Sequence, residues 1–219
     1  MDPARIAELL TPFLEGEPLT SAGLDHISTY IDILLRWNAR INLTAIRDPD
    51  QIVTRHFGES LFAARRLFPR SSGTAVSPVV KGLADIGSGA GFPGIPIKLW
   101  APEIAVTLVE SNHKKSAFLR EVARALILTG VDIQNARAES LPPASFDVVT
   151  LRAVERFDHI LPIASAVARP AGRLALLIGE SQLRTARELL PSHTLDTPLH
   201  IPNSSSRIVL IAKSPSHEL

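Results

Sequence analysis

The run Asp85-Ile86-Gly87-Ser88-Gly89-Ala90-Gly91-Phe92-Pro93-Gly94 constrains this chain more than any other stretch. It follows a strand-like segment at 79–86 and precedes a helical pattern at 95–100. Glycines between a strand and a helix let the backbone approach a ligand more closely than side chains permit. The rest of the chain repeats that strand-then-helix order. Strand-like runs at 105–109, 131–135, 146–151 and 174–178 are separated by helical patterns at 112–128 and 159–168. A helix at 182–190 and two more strand-like runs, at 194–199 and 207–212, complete the series. Such alternation implies an α/β fold with a mainly parallel, seven-stranded sheet covered on both faces. Only a short turn, Asn203-Ser204-Ser205-Ser206, joins the last two runs, so they are expected to pair antiparallel.

The first 70 residues follow a different grammar. Asp2-Pro3 offers a capping acid and then proline at the first helical position. Ile6, Leu9, Leu10 and Phe13 follow at helical spacing. A second helix is expected from Ser21, with Leu24, Ile27, Ile31, Leu34 and Leu35 as its stripe. A third is expected over 49–67, after the turn Asn42-Leu43-Thr44. The Ser-, Gly- and Pro-rich stretch 70–78 reads as a linker. The expected organisation is a helical extension over 1–70 and an α/β domain over 79–219, packed as one unit.

Composition removes several function classes. There is no cysteine, which excludes disulfides, thiolate metal sites and a cysteine nucleophile, and agrees with a reducing, cytoplasmic location. The longest apolar run, 174–178, is far short of a membrane span, and Asp2 and Glu8 do not suit a signal peptide. No carboxylate or histidine cluster has metal-ligand spacing. Nothing suggests an oligomer, so a monomer is expected. Net charge is only +1, but Arg36, Arg40, Arg47, Arg55, Arg65, Arg66 and Arg70 face three acids over 36–70, which predicts a local basic face.

The residues around the glycines suggest a ligand. Glu110 ends the strand after the loop, where its carboxylate can accept hydrogen bonds from ribose hydroxyls. Gly89, Gly91 and Gly94 also fit a dinucleotide pattern. Asp85, two residues before Gly87, favours S-adenosylmethionine, because it can face the ammonium group of a methionine moiety, whereas a pyrophosphate would gain nothing from it. Ala138-Glu139, after the third strand, falls where the adenine would lie. Phe92 either closes over the cofactor or plugs the core. A nicotinamide-dependent oxidoreductase stays open as an alternative, though the single tyrosine, Tyr30, lies in the helical extension. A cofactor-fold protein that binds RNA without catalysis is a second alternative.

The acceptor side is read by elimination. The fourth strand ends at Thr150-Leu151-Arg152-Ala153, without the Asn/Asp-Pro-Pro-aromatic signature of amino-group methylation. Carbon methylation of a pyrimidine needs a nucleophile, normally cysteine. Guanine N7 has a free lone pair and no proton to lose, so its methylation needs mainly alignment. Arg152 is the candidate catalytic residue, unless an ion pair with Glu155 or Glu139 claims it. His56, Lys114 and Lys115 are candidates for RNA contact, with core packing or solvated helix ends as the plain alternatives. Trp37 and Trp100 read as core residues.

At these positions the chain closely resembles the bacterial glucose-inhibited division protein B family, guanine-N7 methyltransferases of 16S ribosomal RNA. The marks are Trp37-Asn38, Asn42-Leu43-Thr44, Arg55-His56 before Ser60-Leu61, the loop Asp85 to Gly94 extended by Ile95-Pro96, Phe118-Leu119 and Arg152-Ala153. The resemblance runs from about Ile31 to Lys213. It implies a class I methyltransferase fold with an N-terminal helical extension. It implies cofactor contacts at Gly87, Phe92, Ala138, Glu139 and Arg152, and a substrate presented by 16S ribosomal RNA or the small subunit. Two positions depart from the family pattern. Ile178 stands where the family often has Lys, and Glu59 where it has Asp.

Overall fold

The computed structural model describes residues 1–70 and 82–216. Helix α1 (Pro3–Leu14) begins where Asp2 caps it, its carboxylate accepting the Ala4 N–H at 3.0 Å. Thr20 caps α2 (Ser21–Asn38) through the Gly23 N–H at 3.1 Å. The helix expected over 49–67 is not regular. Helix α3 (Pro49–Ile52) runs into a π turn, Val53–Gly58, and then into α4 (Glu59–Leu67). A π turn changes which side chains share a face, and apolar spacing does not reveal it.

Among the described residues, eight strands form one sheet in the order β3-β2-β1-β4-β5-β8-β6, with β7 also on β8. They are β1 (Gly82–Ile86), β2 (Ala105–Val109), β3 (Val131–Gln134), β4 (Phe146–Arg152), β5 (Ala168–Gly179), β6 (Thr194–Leu195), β7 (Leu199–His200) and β8 (Arg207–Lys213). Strands β1 to β5 pair parallel, whereas β8 is antiparallel to β5, β6 and β7. The expected sixth strand is present as two short pieces, interrupted at Pro198, which has no N–H for the ladder. Strand β5 starts at Ala168, six residues earlier than the apolar run suggests, through the polar-flanked Arg169-Pro170. The linker at 71–78 and the expected first residues of β1 lie outside the described residues.

The strands alternate with period two, as a two-sided sheet requires. On one face Leu83, Val106, Leu108, Val148, Ala175, Leu177, Val209 and Ile211 join α1, α2, α4, α5 (Gly94–Trp100) and α6 (His113–Ala125) in one apolar cluster. On the other, Ala84, Ile86, Val149, Leu151, Leu174, Leu176, Ile178 and Leu210 pack under α7 (Phe157–Val167) and α8 (Leu183–Leu189). Trp100 belongs to the first cluster and the half-buried Trp37 packs against it. The extension is therefore built into the same core as two of the sheet's own helices. No helix among the described residues is long and apolar enough to cross a membrane.

Candidate active site

A cleft of about 690 Å³ opens beyond the carboxyl ends of β1 to β4. Its floor is the glycine loop, Gly87 to Ala90, and its walls come from Glu110 to Asn112, Ala136 to Glu139 and Arg152 to Arg156. Leu43, Thr44, His56 and Phe92 close the β4 side. The volume lies within the range of small-molecule sites.

Glu110 follows β2 and is buried. One carboxylate oxygen accepts the Gly89 N–H at 2.9 Å and the other the Asn112 N–H at 2.7 Å. Each oxygen keeps a second acceptor site for a hydroxyl pair. Asn112 in turn caps α6, accepting the N–H groups of Lys114 and Lys115. Ala138 to Ser140 form a short 3₁₀ turn, with Glu139 at the open rim, 3.4 Å from His159 Nε2. The Glu139 backbone N–H, and after it the neighbouring His159, hold the Glu139 carboxyl below its usual range.

Asp85 and Gly91 do not face this cleft. Asp85 is buried under the loop, where it accepts the Thr150 hydroxyl at 2.8 Å and the Gly94 N–H at 3.1 Å. Burial pushes its carboxyl up to about 6, against those hydrogen bonds. The sequence placed it opposite a ligand's ammonium group. In the structure its carboxylate braces the turn. Gly91 turns towards the extension: a Cβ there would meet the Tyr30 hydroxyl, Ile95 and Leu119. Of the two lysines, Lys115 lines the cleft and Lys114 points to solvent.

Arg152 ends β4 and reaches back into the extension. One nitrogen, Nη2, lies 2.6 Å from the Arg55 carbonyl, 3.2 Å from His56 Nδ1 and 3.0 Å from Glu59. Its carboxylate partner is thus Glu59, not Glu155 or Glu139. Glu59 is almost fully buried and also holds Arg55 and Arg207, at 3.2 and 2.7 Å. Three guanidinium groups converge on one carboxylate. The π turn helps to build this node. The Glu59 N–H donates to the His56 carbonyl, not to the Arg55 carbonyl that an α-helix would use, and Arg152 takes the latter.

His56 is buried and stacks on Phe92 at 4.7 Å, and Phe92 stacks on Tyr30 at 5.4 Å. The Tyr30 hydroxyl donates to the Ala90 carbonyl. Phe92 has its ring in the core and part of it in the cleft wall. Burial, then the charges of Arg152 and Arg55, lower the His56 pKa to about 3, so the imidazole is neutral.

The basic face expected over 36–70 is largely spent within the protein. Arg36 pairs with Glu121, Arg55 with Glu59, Arg65 and Arg66 with Glu15, and Arg70 stacks on Trp100. Arg40 and Arg47 stay exposed on either side of Leu43-Thr44. Among the described residues no group of acids and histidines could hold a metal ion. Sequence reasoning missed Thr44 as a cleft residue and Glu59 as the hub. The Asn42-Leu43-Thr44 mark and the acid four residues after Arg55 were the available signals.

A family model described as rRNA small subunit methyltransferase G matches residues 24–207. The chain belongs to that family. A ribosomal RNA small subunit methyltransferase G of Xanthomonas campestris pv. campestris is 38% identical over 180 residues, 81% of this chain and 79% of the relative. One from Halorhodospira halophila is 40% identical over 162 residues, 74% of this chain and 72% of the relative. A crystal structure of a predicted O-methyltransferase of Agrobacterium tumefaciens superposes with a TM-score of 0.59 at 20% identity, covering 73% of this chain and 81% of that one. This last likeness shows the fold alone. Within the small subunit methyltransferase G family, the class I methyltransferase fold expected from the sequence is the one observed, and the oxidoreductase alternative falls away.

Proposed function

We propose that this small subunit rRNA methyltransferase holds S-adenosylmethionine over the glycine loop and presents a guanine whose N7 takes the methyl group. The observation that carries the reading is the division of the cleft. Over β1 to β3 it offers backbone and the ribose-type acceptor Glu110, while over β4 it offers Arg152, His56 and Thr44. The residues suited to the cofactor are Gly87, Gly89, Phe92, Glu110, Ala138 and Glu139. When bound, the cofactor supplies an electrophilic methyl group on a sulfonium.

The chain's own groups suit an acceptor without a proton to lose. His56 is neutral, but its two ring nitrogens already face Arg152 and Thr44, so it is no free base. Glu110 is occupied by two backbone N–H groups. Arg152 is held rigidly and is a positioning cation at the acceptor end. Lys115, Arg137 and Arg156 on the rim, with Arg40 and Arg47 beside it, suit phosphates flanking a base drawn out of an RNA loop.

The test is transfer of labelled methyl from S-adenosylmethionine to small subunits lacking the modification, followed by borohydride reduction and aniline cleavage at 7-methylguanine. A single cleavage site in 16S RNA is expected. Label without cleavage overturns the N7 assignment and keeps the methyltransferase. Cofactor binding without label favours the non-catalytic alternative.

A further inference from the structure

N7 is common to guanine and adenine, so a site that attacks N7 needs another atom to tell them apart. At C6 the two purines differ in kind: guanine carries a carbonyl acceptor, adenine an amino donor. A residue that can only donate there accepts guanine and confronts adenine with two donors.

A hydroxyl is normally ambivalent, since it both donates and accepts. Thr44 is not. A guanidinium has no lone pair to offer, so Arg152 Nη2, 3.2 Å from His56 Nδ1, favours the tautomer whose Nδ1 carries no proton. The imidazole is neutral, and its one proton is then on Nε2. That Nε2–H faces Thr44 Oγ1 at 2.9 Å and donates to it. The Ile46 N–H donates to the same oxygen at 3.1 Å. Both lone pairs of the hydroxyl are occupied. Its proton has no acceptor among the described residues, and Thr44 lines the cleft on the Arg152 side.

The position of Thr44 is fixed as firmly as its polarity. Buried Asn38 accepts the Leu43 and Thr44 N–H groups at 2.9 and 3.1 Å and donates to the Thr44 carbonyl at 2.9 Å. The whole turn is thereby clamped to the end of α2.

We infer that Thr44 is the residue that reads guanine: its hydroxyl, made donor-only by the Arg152–His56 relay, donates to O6 and leaves N7 free. The inference rests on the guanine-N7 reading above. It makes Thr44 a specificity residue, with His56 and Arg152 positioning it.

The experiment uses small subunits reconstituted with RNA in which the guanine located by cleavage is replaced by 2-aminopurine, which keeps N7 and lacks O6. Initial rates of labelled methyl transfer are compared with those on guanine. The parent enzyme is expected to prefer guanine by roughly ten- to hundredfold, the range for one lost polar contact to a base. Thr44→Val should slow transfer to guanine by a similar factor and bring the ratio near one, with cofactor titrations unchanged. Thr44→Ser should restore the preference. A Thr44→Val enzyme that keeps the parental ratio overturns the inference. So does a parental ratio near one, which decides the matter even where Thr44→Val fails to fold. Absence of transfer to guanine by the parent enzyme would instead overturn the guanine-N7 reading itself.

Discussion

Gly91→Ala separates a packing glycine from a ligand-facing one. Gly91 has φ +83°, and a Cβ built there would lie 2.5 Å from the Tyr30 hydroxyl, 2.7 Å from Ile95 and 3.0 Å from Leu119. The first two distances are shorter than real Cβ contacts allow, so the aromatic stack Tyr30–Phe92–His56 must move. The left-handed backbone costs an alanine about 1 kcal/mol. Overpacking a filled core adds about 1–3 kcal/mol. Together these give a loss of about 2–4 kcal/mol. Gly89 is the control. It also has positive φ, +56°, but the nearest atom to its Cβ is the Gly87 carbonyl oxygen at 3.8 Å. Gly89→Ala therefore carries only the backbone cost, about 1 kcal/mol. The assay is urea unfolding of the two variants beside the parent. Equal midpoints for Gly91→Ala and Gly89→Ala would refute the reasoning, because both pay for a left-handed backbone and only the methyl at 91 meets packed atoms.

Three further outcomes are expected. Glu59→Gln removes the one negative charge on which Arg55, Arg152 and Arg207 converge, so stability should fall by about 3 kcal/mol in denaturant titrations and turnover with it; an unchanged midpoint counts against the hub. Glu110→Gln leaves one oxygen where two backbone N–H groups and a ribose need acceptors, and cofactor affinity should drop roughly tenfold or more while RNA binding holds; identical cofactor titrations would remove the ribose assignment. His56 has its pKa lowered from 6.5 to about 3, so the unfolded chain takes a proton that the fold refuses. Its contribution should be complete above pH 6.5 and be lost as pH falls towards 3, at about 1.4 kcal/mol per unit; the stability difference between the parent and His56→Gln, measured from pH 4 to 7.5, should therefore shrink on acidification and be level above 6.5.

The features legible in the sequence are those whose cause is local. The loop Asp85 to Gly94 announces itself because a strand, a tight turn and a helix must follow one another in the chain. Glu110 is placed by parallel pairing, since Ile86 and Val109 are register partners and the next residue of β2's strand lands at the same edge. The caps Asp2 and Thr20 act within three residues of themselves. Asp85 shows the limit of local reasoning. Its spacing from Gly87 fits a ligand contact, but its register partner Thr150, on β4, lies 65 residues away and takes the carboxylate inward.

What the sequence hid is the reach of the extension into the chemistry. Arg152 meets Arg55, His56 and Glu59 across 93 to 97 residues, and no spacing rule spans that interval. Nor does periodicity betray the π turn that frees the Arg55 carbonyl for it. Once that node is assembled, its consequences run in one direction. A donor-only guanidinium fixes a tautomer, the tautomer fills a lone pair on Thr44, and the turn clamped by Asn38 fixes where the remaining proton points. An extension that only covered the sheet would need apolar residues on its inner face and nothing more. The buried Asn38, His56 and Glu59 are a costly way to cover a sheet, because each must find polar partners inside. The partners of Asn38 and His56 lie at the β4 end of the cleft or on the turn that borders it, and Arg152 ties Glu59 to the same end, where the proposed acceptor base would be held.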